Sequence, residues 1–214
     1  MDFTASEIIP EPVAACSADQ REAPRFTSLI RSAKLVSSQG EFVCVIRDVS
    51  SLGIGLRMFH ELPVGDRIAL ELGNGDTFEL KKVRANGPDA SFTFTRPIAV
   101  DALIREHWGY PKRQLRLNLA MPLTVTAISG RAEAITENLS QQGCRFDCDA
   151  LFAIDQNLRI EGEGLPEIRA KVRWRKGSTY GLVFENTFTL REFAQLAAYL
   201  QCPQLVQHPA VGPS

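Results

Sequence analysis

Apolar residues fall at every second position through much of the first half of the chain. Leu35, Phe42, Cys44, Ile46, Ile54 and Leu56 alternate with polar residues, and after breaks Ile68, Leu70 and Leu72, then Phe78 and Leu80, then Phe92 and Phe94 continue the pattern. A period of two puts one set of side chains on one face of a strand. The breaks have turn composition: Ser37-Ser38-Gln39-Gly40, Leu62-Pro63-Val64-Gly65-Asp66 and the hairpin-type Gly73-Asn74-Gly75-Asp76. About six short strands joined by tight turns predict a small barrel or sandwich. After Arg96-Pro97 the period changes. Ile98, Val100, Leu103 and Ile104 approximate helical spacing and predict a helix over 98–107, stopped by Gly109-Tyr110-Pro111.

The second half repeats this order. Leu117, Leu119 and Met121 lead to a strand over 123–128, the Ser129-Gly130 turn and a strand ending at Glu137. Cys144, Phe146 and Cys148 then face one way, with Arg145 and Asp147 on the other. Leu158 and Ile160, the Gly162-Glu163-Gly164 turn, Ile168–Trp174 and Tyr180–Phe184 complete the set, and a helix is predicted over Phe188–Leu200. A repeat this long fits a duplicated domain rather than a solenoid unit. The expected fold is mainly β, with two tandem small antiparallel six-stranded β-barrels, each followed by a C-terminal helix. The expected domains are 21–108 and 109–202, between a flexible acidic tail at 1–20 and a second tail at 203–214.

Composition narrows the function classes. The 214 residues are 44% hydrophobic, enough for packed cores, and the formal net charge of −1 argues against a general polyanion binder, so no nucleic-acid partner is expected. Five cysteines without framework spacing suit a reducing compartment. No stretch has the length and apolarity of a membrane span, and Met1–Glu7 lacks the features of a secretory signal. A cytoplasmic location is the expectation. His60, His107 and His208 are scattered, away from carboxylate or cysteine sets, so neither a metal site nor a cofactor is expected. Ser50 and Ser140 have no nucleophile-elbow context, and no enzyme motif is present. Cys144 and Cys148 read as core residues, and Trp108 and Trp174 as core or interface aromatics.

One loop motif recurs. Asp48-x-Ser50-x-x-Gly53 is repeated as Asn138-x-Ser140-x-x-Gly143, each position 90 residues on. Taken alone this reads as a turn, because Asp or Asn followed by Ser can bond its own backbone and Gly allows close approach. A basic pair precedes each copy, however: Arg21 and Arg25 before the first, Lys112 and Arg116 before the second. Residues four apart share a side in a helix or an extended segment. Guanidiniums bind phosphate bidentately and stack on bases, so such a pair suits an aromatic, doubly phosphorylated ligand.

Arg-x-x-x-Arg followed by Asp/Asn-x-Ser-x-x-Gly resembles the PilZ domain, a bacterial receptor module for cyclic di-GMP, in two copies over residues 21–200. The resemblance implies that Arg21 and Arg25 grip phosphates and guanine edges, that Asp48 and Ser50 contact guanine, and that Gly53 lets the backbone approach. In the second copy Lys112, Arg116, Asn138, Ser140 and Gly143 take these roles, with Lys112 lacking the planar fork. By sequence Ala85 stands where Trp174 is and Ser91 where Gly181 is, so copy one carries the better ligand motif and copy two the better framework. Binding is expected principally at copy one. Ligand-induced ordering of the arginine segments would change how the domains or a partner are arranged. The partner expected is a motility, secretion or polysaccharide component. The alternative is a degenerate scaffold that binds a protein without nucleotide.

Overall fold

The structure, a computed structural model, describes residues 26–65, 67–104 and 114–206. The stretches 1–20 and 207–214, Arg21, Arg25, His107, Trp108 and Lys112 lie outside the described residues. The first half folds as β1 (Phe26–Ser37), β2 (Gly40–Val49), β3 (Gly53–Met58), β4 (Ile68–Glu71), β5 (Thr77–Asn86), β6 (Asp89–Phe94) and helix α1 (Val100–Ile104). These strands close into an antiparallel barrel in the order β1-β2-β3-β6-β5-β4, with Leu35 opposite Leu70 at the closing pair. The second half has β7 (Arg116–Asn118), β8 (Pro122–Ala127), β9 (Gly130–Ser140), β10 (Gly143–Asp147), β11 (Asn157–Gly162), β12 (Leu165–Lys176), β13 (Thr179–Phe184) and helix α2 (Leu190–Gln201). Strands β8 to β13 close in the corresponding order, and β7 extends the sheet along β9. No helix of the described residues is long and apolar enough to cross a membrane.

The duplication reaches the register. Ser37 pairs with Gly40 and Ala127 with Gly130, and both glycines lie at positive φ, +134° and +131°. In the first barrel β1 is continuous; in the second, Leu119–Met121 interrupts the corresponding strand. Buried Thr136 bridges the break, accepting from the Met121 N–H (3.0 Å) and donating to the Leu119 carbonyl (2.5 Å). The alternating residues named from sequence line the two interiors, Leu35, Phe42, Ile46, Leu56, Leu70 and Phe92 in one and Leu123, Phe146, Ile160 and Phe184 in the other. Cys144 belongs to the second core, and burial pushes its thiol pKa up to about 12. Cys148 is buried there too.

Helix α2 explains why the two barrels form one body. Thr189 caps it: its hydroxyl accepts the Glu192 N–H (3.3 Å), while the Glu192 carboxylate accepts the Thr189 N–H (2.7 Å). The helix therefore starts two residues later than expected, with Phe188 buried just before the cap. One face carries Phe193, Leu196 and Ala197 into the second core, and Ala198 enters the first. In return Val43 of β2 is buried in the second core. Phe42–Ile46 is buried on both faces of β2, which is why this run is apolar at every position. Gln201 then clamps the Glu41 main chain, its Oε1 accepting the N–H (2.8 Å) and its Nε2 donating to the carbonyl (2.7 Å). Residues 203–206, expected to be tail, instead make a 3-10 turn over Pro203–Leu205. Leu205 is buried in the first core and accepts the Glu61 N–H (3.0 Å). Helix α1 docks on its own barrel through buried Leu103, whose carbonyl accepts from Arg31.

Two stability measurements test this seam. Gln201→Ala removes both bonds to Glu41, and we expect denaturant unfolding to show a loss of about 1–3 kcal/mol. His60 is buried at the seam against the Phe42 ring (5.1 Å between centroids), with Nδ1 2.7 Å from the Glu61 carbonyl and Nε2 unpartnered among the described residues. Burial lowers its pKa. The unfolded chain thus takes up this proton near pH 6.5, before the folded protein does, so the His60 contribution is intact above that pH and declines as pH falls below about 6.5. Unfolding midpoints between pH 7.5 and 5.5 should fall more in the wild type than in His60→Gln.

Candidate functional site

A row of residues crosses five strands of the second barrel. Asn118 on β7 pairs with Asn138 on β9, Asn138 with Arg145 on β10, Arg145 with Gly181 on β13, and Gly181 with Trp174 on β12. Directly opposed residues point to one side of a sheet, so all five stand on the same outer face. Gly181 sits mid-row without a side chain, and the Trp174 indole lies over it; a Cβ there would collide with the indole nitrogen. Trp174 is 41% exposed. It is neither the core nor the interface residue that its type suggests.

This face forms one wall of an open cleft of about 570 Å³, lined by Arg116, Asn138, Ser140, Gly143, Arg145, Arg173 and Trp174 among others. Three guanidiniums meet there. Arg145 is 2.6 Å from the Glu137 carboxylate and Arg173 is 3.7 Å from Asp155, whereas Arg116, exposed on β7, has no ion pair among the described residues. An exposed indole beside three guanidiniums can hold a planar heterocycle and an anionic group together.

The loop motif shapes the floor. The Ser140 hydroxyl donates to the Gly143 carbonyl (2.9 Å), and Ser50 does the same to Gly53 (3.3 Å) while accepting the Gly53 N–H (3.1 Å). Both serines are buried, at 5–6% exposure, so closing the turn is their observed work. Gly53 and Gly143 pack against the facing strand: a Cβ would lie 2.9 Å from the Phe92 carbonyl oxygen in the first case and would overlap the Leu182 carbonyl in the second. The close approach expected of these glycines is thus to the protein's own backbone.

The structure brings together Arg116, Asn138, Ser140 and Gly143 of the sequence-named set; Arg21, Arg25 and Lys112 lie outside the described residues. Asp48, Ser50 and Gly53 hold the corresponding places on the first barrel, where the row runs Thr27, Asp48, Gly55, Ser91, Arg84. One alignment needs correction. Arg84, not Ala85, occupies the place of Trp174, because Arg84 pairs with Ser91 as Trp174 pairs with Gly181. Gly55 faces Asp48 where Arg145 faces Asn138, and the Asp48 carboxylate fills the space above Gly55. Arg145, Arg173 and Trp174 were missed as candidates. Counting back from the Gly177-Ser178 turn would have found Trp174 opposite Gly181.

Residues 111–201 match the PilZ domain. The matched segment contains the whole second barrel, β7 and all of α2. Similar solved structures include the Borreliella burgdorferi PlzA protein in complex with c-di-GMP, at 10% identity over 85% of this chain and 94% of that one (TM-score 0.35). The Bacillus subtilis inhibitor of motility MotI/DgrA is 14% identical over 85% and 99% (TM-score 0.35). The PilZ domain of CeSA from a cellulose-synthesizing bacterium is 16% identical over 42% and 97% (TM-score 0.32). No curated protein matches the chain.

Gly181→Ala tests the indole's seat. With Trp108→Phe as background, we expect a Trp174 emission shift toward that of free indole in water, with the far-ultraviolet dichroism of the barrel retained. Unchanged emission would mean that the indole does not rest on Gly181.

Proposed function

We propose that the protein is a non-enzymatic receptor for cyclic di-GMP, built from tandem PilZ-like domains, and that the second barrel is its principal site. The observation that carries this is the cleft in which Arg116, Arg145 and Arg173 surround the exposed Trp174 face. The ligand has two anionic phosphodiesters and two planar guanines. Trp174 supplies a stacking surface, Asn138 can donate to and accept from a guanine edge, and Arg116 supplies a guanidinium with no ion pair among the described residues. Lys112 would add a point charge from the same segment. Ligand contact with 112–116 would order that segment against the cleft and change how the barrels, or a partner protein, are arranged.

This moves the preference from the first copy to the second. In the first barrel the indole's place is taken by Arg84 and the small Gly181 by Ser91, so no aromatic platform stands in that row. Arg21, Arg25, Asp48, Ser50 and Gly53 are proposed as a subsidiary site at most, and the row favours a scaffold role for this barrel.

Calorimetry with cyclic di-GMP tests the reading. Wild type should bind. Arg116→Ala and Trp174→Ala should each weaken binding about 10- to 100-fold, the scale of one charge-assisted bond or one stacked base. Arg21→Ala/Arg25→Ala should change it by less than about threefold. Failure of the wild type to bind, or loss confined to the Arg21/Arg25 pair, would overturn the assignment.

A further inference from the structure

The cleft depends on a strand that its own barrel holds on one side only. β7 is three residues long and pairs with β9 through Arg116, Leu117 and Asn118. Its other flank is taken by a residue of the first barrel. The Glu41 carboxylate accepts the Asn118 main-chain N–H through Oε2 (2.7 Å) and the Asn118 side-chain amide through Oε1 (2.8 Å). Glu41 is itself fixed. Its Oε2 lies 3.0 Å from the ammonium of Lys34, which also meets Glu71 at 3.0 Å, and its main chain is held by Gln201. Asn118 begins the row that runs through Asn138 and Arg145 to Trp174, and Arg116 stands two residues before it.

We propose that Glu41 is a positioning residue for the ligand cleft of the other barrel: by gripping Asn118 it sets the register of β7 and so the place of Arg116. The first barrel then contributes to binding without touching the ligand, and affinity becomes a measure of barrel docking. Linkage makes the effect reciprocal, so occupancy of the cleft strengthens the Glu41–Asn118 grip. The two bonds share one carboxylate with a buried ammonium, which leaves Glu41 little freedom to follow β7 if the barrels part.

The inference rests on the receptor reading for its ligand, and the test separates the two. Amide hydrogen exchange without ligand should show lost protection at Asn118 in Glu41→Ala and a smaller loss in Glu41→Gln, whose amide oxygen keeps one acceptor for the Asn118 N–H. Cyclic di-GMP affinity should fall about tenfold in Glu41→Ala, equivalent to about 1.4 kcal/mol. Glu41→Ala should add little to Arg116→Ala, since both losses run through the same guanidinium. Lys34→Met, which removes the ion pairs that hold the Glu41 carboxylate but leaves both of its oxygens as acceptors for Asn118, should lower stability and weaken affinity by less than Glu41→Ala does. Wild-type affinity in Glu41→Ala, additive losses with Arg116→Ala, or a larger loss in Lys34→Met than in Glu41→Ala would overturn the positioning role. Absence of binding by the wild type would overturn the receptor reading, and retained Asn118 protection in Glu41→Ala would overturn the clamp whatever the ligand.

Discussion

Two hydrophobic cores in this protein share one helix, and the rest of the arrangement depends on that. A barrel closed on itself has no free edge with which to recruit a neighbour, so tandem barrels need another device to become one body. Here α2 supplies it by turning Phe193 and Leu196 to one interior and Ala198 to the other, while Val43 crosses in the opposite direction. The apolar contact carries no directional information. Direction comes from the polar bonds at its margin, Gln201 on the Glu41 main chain and Glu41 on Asn118, which hold a particular geometry that burial alone would leave loose.

The strands were readable in the sequence because a closed barrel with one solvated face enforces alternation. The duplication was readable because a spacing of 90 keeps turns, cores and loop motifs in step. Shared buried faces were harder to see. Phe42-Val43-Cys44-Val45-Ile46 looks like an alternating strand if only the even positions are read, yet its odd positions are apolar too. The corresponding stretch of the second half, Ala132-Glu133-Ala134-Ile135-Thr136, is broken by Glu133 and leaves Ile135 exposed. That difference marks which copy has a covered second face.

The site was legible in its loop and not in its platform. A loop motif is contiguous, so Asn138, Ser140 and Gly143 announce themselves, although their serine proves to serve its own turn. Trp174 acquires meaning only from Gly181 across the hairpin, and such a pairing shifts by one residue if the turn is misjudged, as Ala85 and Arg84 illustrate. Asn118 and Glu41 meet through the packing of separate barrels, a contact with no local signature. The two barrels differ along the same row: the second has an arginine, a gap and an indole where the first has a glycine, a hydroxyl and an arginine.

The shared helix also bears on how the chain can be made. During synthesis the first barrel's strands emerge well before Ala198 and Leu205, yet both belong to its core. Domains generally fold as units from the N-terminal side, but the outer face of β2 stays uncovered until the second barrel and α2 have been made. Val43 and Val45 are then the apolar surface exposed longest, on a strand already paired on both sides. A nascent chain stalled between the barrels would present that face to chaperones, whereas one released after α2 would not.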